Sequence, residues 1–394
     1  MTSIIDAPAT VAPIRQGRFV ELDSLRGLAA LTVLVGHLEM AWSDTYPTGA
    51  GIGASLVALT LPFGAEAVIL FFVLSGFVLS LPAVDGRPQS YFTFVTRRIF
   101  RIYVPYLAAL AVSVAASMYL YGHSTGNNWV HTYWSGPVQW RVVWHHVMFL
   151  GVFNTDRLDP PIWSLVHEMR ISLFFPFLCA IVLRFRNRWS LALALILVAA
   201  STAMDKLHGF QTATSIADTL HYTPMFILGI YLARERVSIA GWFSRLTRPA
   251  RVLLGVGCIL LFAFAGLLFN LWAEQTMHLG LRVITHWLTA LGAGGIIVVC
   301  LNSRSCKRIL HWPPIRLLGQ MSYSLYLIHF IVLLCCVSLL FGRIPLPAIL
   351  SLALVLSIAV SWLSYLWIEK PSMNLGRRLS NAFRSPAGAR RNAQ

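Results

Sequence analysis

Apolar residues along the chain gather into runs separated by short polar pieces. Ten of these runs reach or approach the roughly 20 residues that a helix needs to cross the hydrocarbon of a bilayer. They predict spans at about 22–41, 57–81, 101–121, 164–183, 189–204, 216–233, 251–272, 281–301, 315–341 and 347–368. Several contain a charge or are barely long enough, so the basic residues have to arbitrate. With both termini cytoplasmic, the inner segments hold Arg15 and Arg18, then Arg87, Arg97, Arg98 and Arg101, then Arg184, Arg186 and Arg188. They continue with the arginines from Arg234 to Arg251, then Arg304, Lys307, Arg308 and Arg316, then Lys370 and the arginines of the tail. Only Arg141, Arg157, Lys206 and Arg343 fall in outer loops, which is the bias that cytoplasmic loops show. The expected fold is an all-α integral membrane protein: one bundle of about ten transmembrane helices, termini inside.

Composition agrees. Of 394 residues, 57% are apolar and 12% charged, and the mean hydropathy is +0.68; soluble domains carry about 25% charged residues. The segment before the first span contains Pro, Asp and Arg and no short apolar core with a cleavage site, so no signal peptide is expected. The net charge of +16 is spread over six short cytoplasmic pieces rather than one face. Topology and anionic lipid account for it, and a nucleic-acid partner is not expected. The six cysteines show no CxxC and no disulfide framework, and the twelve histidines no HExxH, so no metal is expected. The chain reads as a cytoplasmic N-terminal segment at 1–21, one membrane domain at 22–371 and a basic tail at 372–394. The long outer segment 122–162 holds Trp129, Trp134, Trp140 and Trp144 with four histidines and a short apolar piece, 142–153, that could dip into the membrane. These tryptophans serve either as an interfacial belt or as a stacking surface for a sugar ring.

Candidate chemistry sits in ionisable groups within the spans, because such groups are costly there. Arg26 and His37 are eleven residues apart, about 1,100° of helical rotation, so they share one face about 16 Å apart in depth. An imidazole near the midplane can take a proton from a hydroxyl and return it to a leaving group. The bland alternative is a buried histidine bonded to a neighbouring helix. The same two readings apply to His329 in the ninth span. Trp163 and Ser164 open the fourth span, where His167, Glu168 and Arg170 form either an outer-face ion network or part of a site. Glu66 and the Ser75-Gly76 pair lie in the second span, the pair fitting close helix contact. Glu369 precedes Pro371, where the last helix is expected to stop.

Six motifs in order resemble the acyltransferase 3 family: Arg26-x10-His37, the FFVLSGF of Phe71–Phe77, the RxxR of Arg98 and Arg101, the WSLxxE of Trp163–Glu168, the SYSLYLIH of Ser322–His329, which includes Tyr323, and the ExP of Glu369 and Pro371. The resemblance runs from about Glu21 to Pro371. It departs at Ile69, where many members have an acidic residue, and Glu66 one turn earlier is the substitute to consider. The resemblance implies O-acylation of a saccharide, lipid or natural product, with acyl-CoA, in the first place acetyl-CoA, as the donor substrate and no permanently bound cofactor. It further implies His37 as catalytic histidine, Arg26 as its partner, and Arg98 with Arg101 as donor contacts. Glu66, Ser75, Trp163, Ser164, Glu168, Tyr323, His329 and Glu369 would be supporting or acceptor-side residues. A bacterial cytoplasmic (inner) membrane and envelope-biosynthesis partners fit that activity. The competing readings are a transporter with His37, Glu168 and His329 as a relay, and a non-catalytic member of an envelope polysaccharide complex.

Overall fold

The computed structural model describes residues 19–45, 63–121, 128–134, 136–185, 187–208, 212–273 and 279–382, and every regular element among them is helical. In order these are α1 (Val20–Thr45), α2 (Phe63–Val84), α3 (Tyr91–Leu120), the short α4 (Asn128–Tyr133) and α5 (Trp140–Met148), then α6 (Trp163–Arg184), α7 (Asn187–His208) and α8 (Ile216–Arg234). They are followed by α9 (Arg236–Arg245), α10 (Arg248–Ala273), α11 (Leu279–Asn302), α12 (Arg304–Leu310), α13 (Pro313–Gln320), α14 (Ser322–Leu340), α15 (Leu346–Ser364) and α16 (Lys370–Ala382). The N-terminal segment before residue 19, with Arg15 and Arg18, and the tail beyond residue 382, with Arg384, Arg390 and Arg391, lie outside the described residues.

Among the described residues, eight segments are long and apolar enough to cross a membrane. The other two expected spans, α1 and α8, are helices of 26 and 19 residues that fall short on composition because they carry polar groups inward. Ser24 is fully buried in α1, and Asp218, Thr219, His221 and Thr223 are buried in α8. Together with α2 and α14, these two helices make the interior, while α7 and α10 present exposed apolar faces such as Leu191, Leu195, Ile196, Val252, Leu253 and Ile259, as lipid-facing helices do. Small residues set the closest crossings. A Cβ on Gly76 would stand 2.3 Å from the Phe226 carbonyl oxygen, and one on Gly27 would stand 2.3 Å from the Gly319 nitrogen, so α2 meets α8 and α1 meets α13 backbone to backbone.

Three boundaries differ from the sequence reading. The third helix begins at Tyr91, ten residues before the expected start, because Ser90 caps it by accepting from the Thr93 N–H. Arg98 and Arg101 are thus interior to a helix. The expected span 315–341 is two helices, broken at Met321 between α13 and α14. The last helix does not stop at Pro371. It passes through a π turn at Tyr365–Glu369, and Pro371 follows that turn inside a helix that runs on to Ala382. A second π turn, Ile99–Tyr103, lies inside α3. In the outer segment, α5 lies against α3 through Tyr103, which donates to the Val147 carbonyl at 2.5 Å, and Tyr106, which donates to the His146 carbonyl at 3.0 Å. Burial lowers the proton affinity of His146. Trp140 and Trp144 are exposed, as an interfacial belt requires, whereas Trp129 and Trp134 are buried.

Candidate functional site

Two cavities occupy opposite ends of α1. One, of about 470 Å³, is lined by Asp23 and Arg26 of α1 together with Arg97, Arg98, Arg101 and Arg377, and by Ser75, Ser164, Glu168, Tyr323 and Tyr326. The other, of about 560 Å³, is lined further along α1 by Gly36, His37, Glu39, Ser43 and Asp44, and by Glu66, Trp163, Thr285, His286, Thr289 and Tyr326. Val68 and Tyr326 line both. The first cavity carries five arginines against two carboxylates; the second carries three carboxylates and no Lys or Arg.

The basic cavity is organised by two ion pairs between helices. Arg98 donates from Nη2 to Glu168 Oε1 at 2.7 Å and from Nε to Ser172 Oγ at 3.2 Å, and Ser75 donates to the same Glu168 oxygen at 3.1 Å. Arg101 Nη1 lies 3.2 Å from Glu369 Oε1 and its guanidinium 6.0 Å from the Tyr323 ring centre. Glu369 is fully buried and accepts from Ser324 N–H and Oγ at 3.2 and 2.7 Å. Arg101 and Glu369 each lie within one of the two π turns, which re-aim side chains relative to a regular helix. Glu369 is therefore a structural counter-ion to Arg101, a role that goes beyond ending a helix. Tyr323 donates to the Ile102 carbonyl at 2.7 Å, pinning α14 to the π turn of α3.

His37 faces the second cavity. Its Nδ1 lies 3.0 Å from His329 Nε2, and His329 Nδ1 lies 2.9 Å from the Leu325 carbonyl oxygen. A carbonyl only accepts, so His329 carries its proton on Nδ1, and as a neutral ring it accepts at Nε2. The shared bond then requires His37 to donate from Nδ1, which leaves the lone pair of a neutral His37 on Nε2. That is the arrangement by which a base is oriented through its far nitrogen. Phe330 packs edge-on to His37 at 4.9 Å and fixes the ring plane. The wall between the cavities is held by hydroxyls. Tyr326 donates to the Pro161 carbonyl at 2.8 Å, and Ser164 sits 2.7 Å from the Tyr326 hydroxyl.

Several sequence expectations sort differently in space. Arg26 does not touch His37: it opens on the basic cavity, 3.6 Å from Asp23 and 3.5 Å from the Leu74 carbonyl, while His37 opens on the other. A shared helix face therefore brought them to different cavities. A relay of His37, Glu168 and His329 is not formed, since Glu168 pairs with Arg98 in the basic cavity. The outer-face network of His167, Glu168 and Arg170 is not formed either. His167 bonds Thr219 and the Ala213 carbonyl, and Arg170 gathers the carbonyls of Leu150, Gly151, Thr214 and Ser215. Among the expected supporting residues, Ser75, Ser164, Glu168 and Tyr323 line the basic cavity, and Glu66 and Trp163 line the histidine cavity. Glu66 Oε2 is buried without a hydrogen-bond partner among the described residues. Sequence reasoning missed Tyr326, Arg97, Arg377 and His286. Tyr326 lay inside the SYSLYLIH motif, and His286 was an ionisable residue within an apolar span. No group of three His, Cys, Asp or Glu able to hold a metal occurs among the described residues.

No solved structure matches the chain. A Bacillus subtilis protein named as a peptidoglycan O-acetyltransferase is 24% identical over 379 residues, which cover 91% of this chain but 55% of that protein, so the chain spans about half its length. A Komagataeibacter xylinus protein named as a membrane-bound transacylase is also 24% identical, over 94% of this chain and 86% of its own. The acyltransferase domain of the acyltransferase 3 family matches residues 19–366. The chain is an integral membrane protein and belongs to this family of acyltransferases.

Proposed function

We propose that the protein moves an acyl group from an anionic acyl-CoA, acetyl-CoA in the first place, to a hydroxyl of a saccharide-type acceptor, with the donor in the basic cavity and the acceptor in the histidine cavity. The observation that carries the reading is the ordered pair His329–His37, whose bonding leaves an unshared lone pair at His37 Nε2 beside a cavity lined by hydroxyls and carboxylates. That lone pair accepts either the proton of the attacking hydroxyl or the acyl carbon itself. The charge contrast supports the division of substrates: phosphates suit five arginines, and a neutral polyol suits a cavity with carboxylates, threonines and a tryptophan. The name of the Bacillus subtilis relative, for O-acetylation of peptidoglycan, supports a glycan acceptor. The distribution of basic residues supports an arginine end facing the cytoplasm and a location in the bacterial inner membrane. His37→Ala should lower transfer of label from acetyl-CoA to the cell's envelope glycan by about 10²–10⁴, the usual worth of a general base, while the protein stays inserted and binds acetyl-CoA. An inserted His37→Ala variant that acylates at the wild-type rate overturns the reading.

A further inference from the structure

A second pair of histidines faces the cavity that His37 faces, and the scheme above leaves it unused. His221 of α8 is buried, and its Nε2 lies 2.8 Å from Nδ1 of His286 of α11. His286 lines the histidine cavity together with Thr285, Thr289, Trp163, Glu66 and His37. Its Nδ1 is engaged by His221 while the residue lines the cavity, so the protein holds one side of this ring and the cavity meets the residue. The pair is itself braced. Tyr222 stacks on His286 at 6.1 Å with ring planes 20° apart and meets His221 edge-on at 5.1 Å, and Asp218 on α8 binds Arg282 on α11 at 2.5 Å, one turn before His286. Two imidazoles bonded nitrogen to nitrogen share one proton along that line, and moving it toward His221 changes Nε2 of His286 from acceptor to donor.

We propose that His286, oriented by His221, is the acid–base residue on the acceptor side of this cavity. The inference rests on the proposed acyl transfer and gives the two histidine pairs separate tasks. In the first step the His37 Nε2 lone pair attacks the thioester carbonyl carbon. The carbon–sulfur bond breaks, CoA leaves as its thiolate, and the acyl group remains on His37. In the second step the acceptor oxygen attacks that carbon as its proton passes to His286 Nε2, and the Nδ1 proton of His286 moves to His221 Nε2. The carbon–nitrogen bond breaks, its electron pair returns to His37 Nε2, and the ester departs. With His37 occupied by the acyl group, a different base is required for the hydroxyl, and His286 stands in the same cavity. The charge left on the pair passes back as a proton to solvent or to the CoA thiolate.

The test uses the full chain in two readouts: acetyl-CoA binding by the purified protein, and ester content of the envelope glycan, by mass spectrometry, in cells whose own copy is deleted and replaced by a variant. His286→Asn keeps a group able to hold the hydrogen bond to His221 but no ring nitrogen to take a proton. It should bind acetyl-CoA within twofold of wild type and lower glycan ester at least 30-fold, with partial recovery of transfer by added imidazole for His286→Ala. His221→Gln, which keeps a polar partner, should retain more ester than His221→Leu, as a positioning residue requires. An inserted His286→Asn protein that esterifies glycan within twofold of wild type overturns the inference, as does equal loss of acetyl-CoA binding and ester. A wild-type protein that leaves the glycan unesterified overturns the proposed function instead.

Discussion

The two cavities are built from opposite solutions to the same difficulty, that of keeping charge inside a bilayer. In the basic cavity the charges are paired across helices, Arg98 with Glu168 and Arg101 with Glu369, so each arginine is both anchored and partly neutralised. In the histidine cavity the imidazoles are paired with one another, His329 with His37 and His286 with His221. Paired ions hold a charged ligand at a fixed place but change state reluctantly; neutral imidazoles bind weakly and change state readily. Under the proposed function, a donor with phosphates and a hydroxyl acceptor need not compete for one surface.

The sharpest way to break this contrast is to remove the partner that sets the His37 tautomer. His329→Leu leaves His37 free to carry its proton on either nitrogen, and transfer should fall about 10–100-fold, the usual cost of losing an orienting partner, while acetyl-CoA binding is unchanged. A fall in binding instead would mean that the two cavities are not independent. A smaller effect is expected from Arg98→Ala combined with Arg101→Ala. The net loss for the pair, whose charges Glu168 and Glu369 already partly neutralise, is about 1 kcal/mol, so KM for acetyl-CoA should rise about fivefold with kcat nearly kept and with weaker salt dependence. An unchanged KM would remove these arginines from the donor site.

The smallest effect concerns stability and separates the cavities from the outer loops. Asp159 is buried beside the start of α6, one of its oxygens has no hydrogen-bond partner among the described residues, and burial holds its carboxyl well above the usual carboxylate range. The folded state therefore holds this proton more tightly than the unfolded one. Its contribution favours folding below the ordinary aspartate range and is lost as pH rises toward the folded value. Asp159→Asn should raise the melting temperature of the purified protein at pH 8 more than at pH 5, by a few degrees, and leave donor binding alone. A substitution effect independent of pH would show that this carboxyl is ionised in the fold.

Much of this organisation was legible from sequence, and the failures share a cause. Apolar runs located the helices, and the six motifs gave the family. Spacing along one helix gave direction but not neighbours: Arg26 and His37 do share a stripe of α1, yet α2 and α14 close between them at Val68 and Tyr326. Arg98 and Arg101 looked like markers at a helix start because the Ser90 cap lies in a polar stretch with no apolar signal. Glu369 looked like a helix stop because a π turn leaves no trace in hydrophobic periodicity. His221 and His286 went unread since neither belongs to a motif, and only the packing of α8 against α11 brings them together.

The wall at Val68 and Tyr326 has an electrical consequence. Water-filled spaces reaching inward from the two sides of a membrane concentrate its potential across whatever thin partition remains, and moving one elementary charge through 100 mV is worth about 2.3 kcal/mol. Transfer that leaves the CoA thiolate on the arginine side and the hydroxyl proton on the His286 side separates one elementary charge across this wall, while the phosphates of CoA would be held on the side they entered. Transfer rates in vesicles should thus change when the membrane is energised.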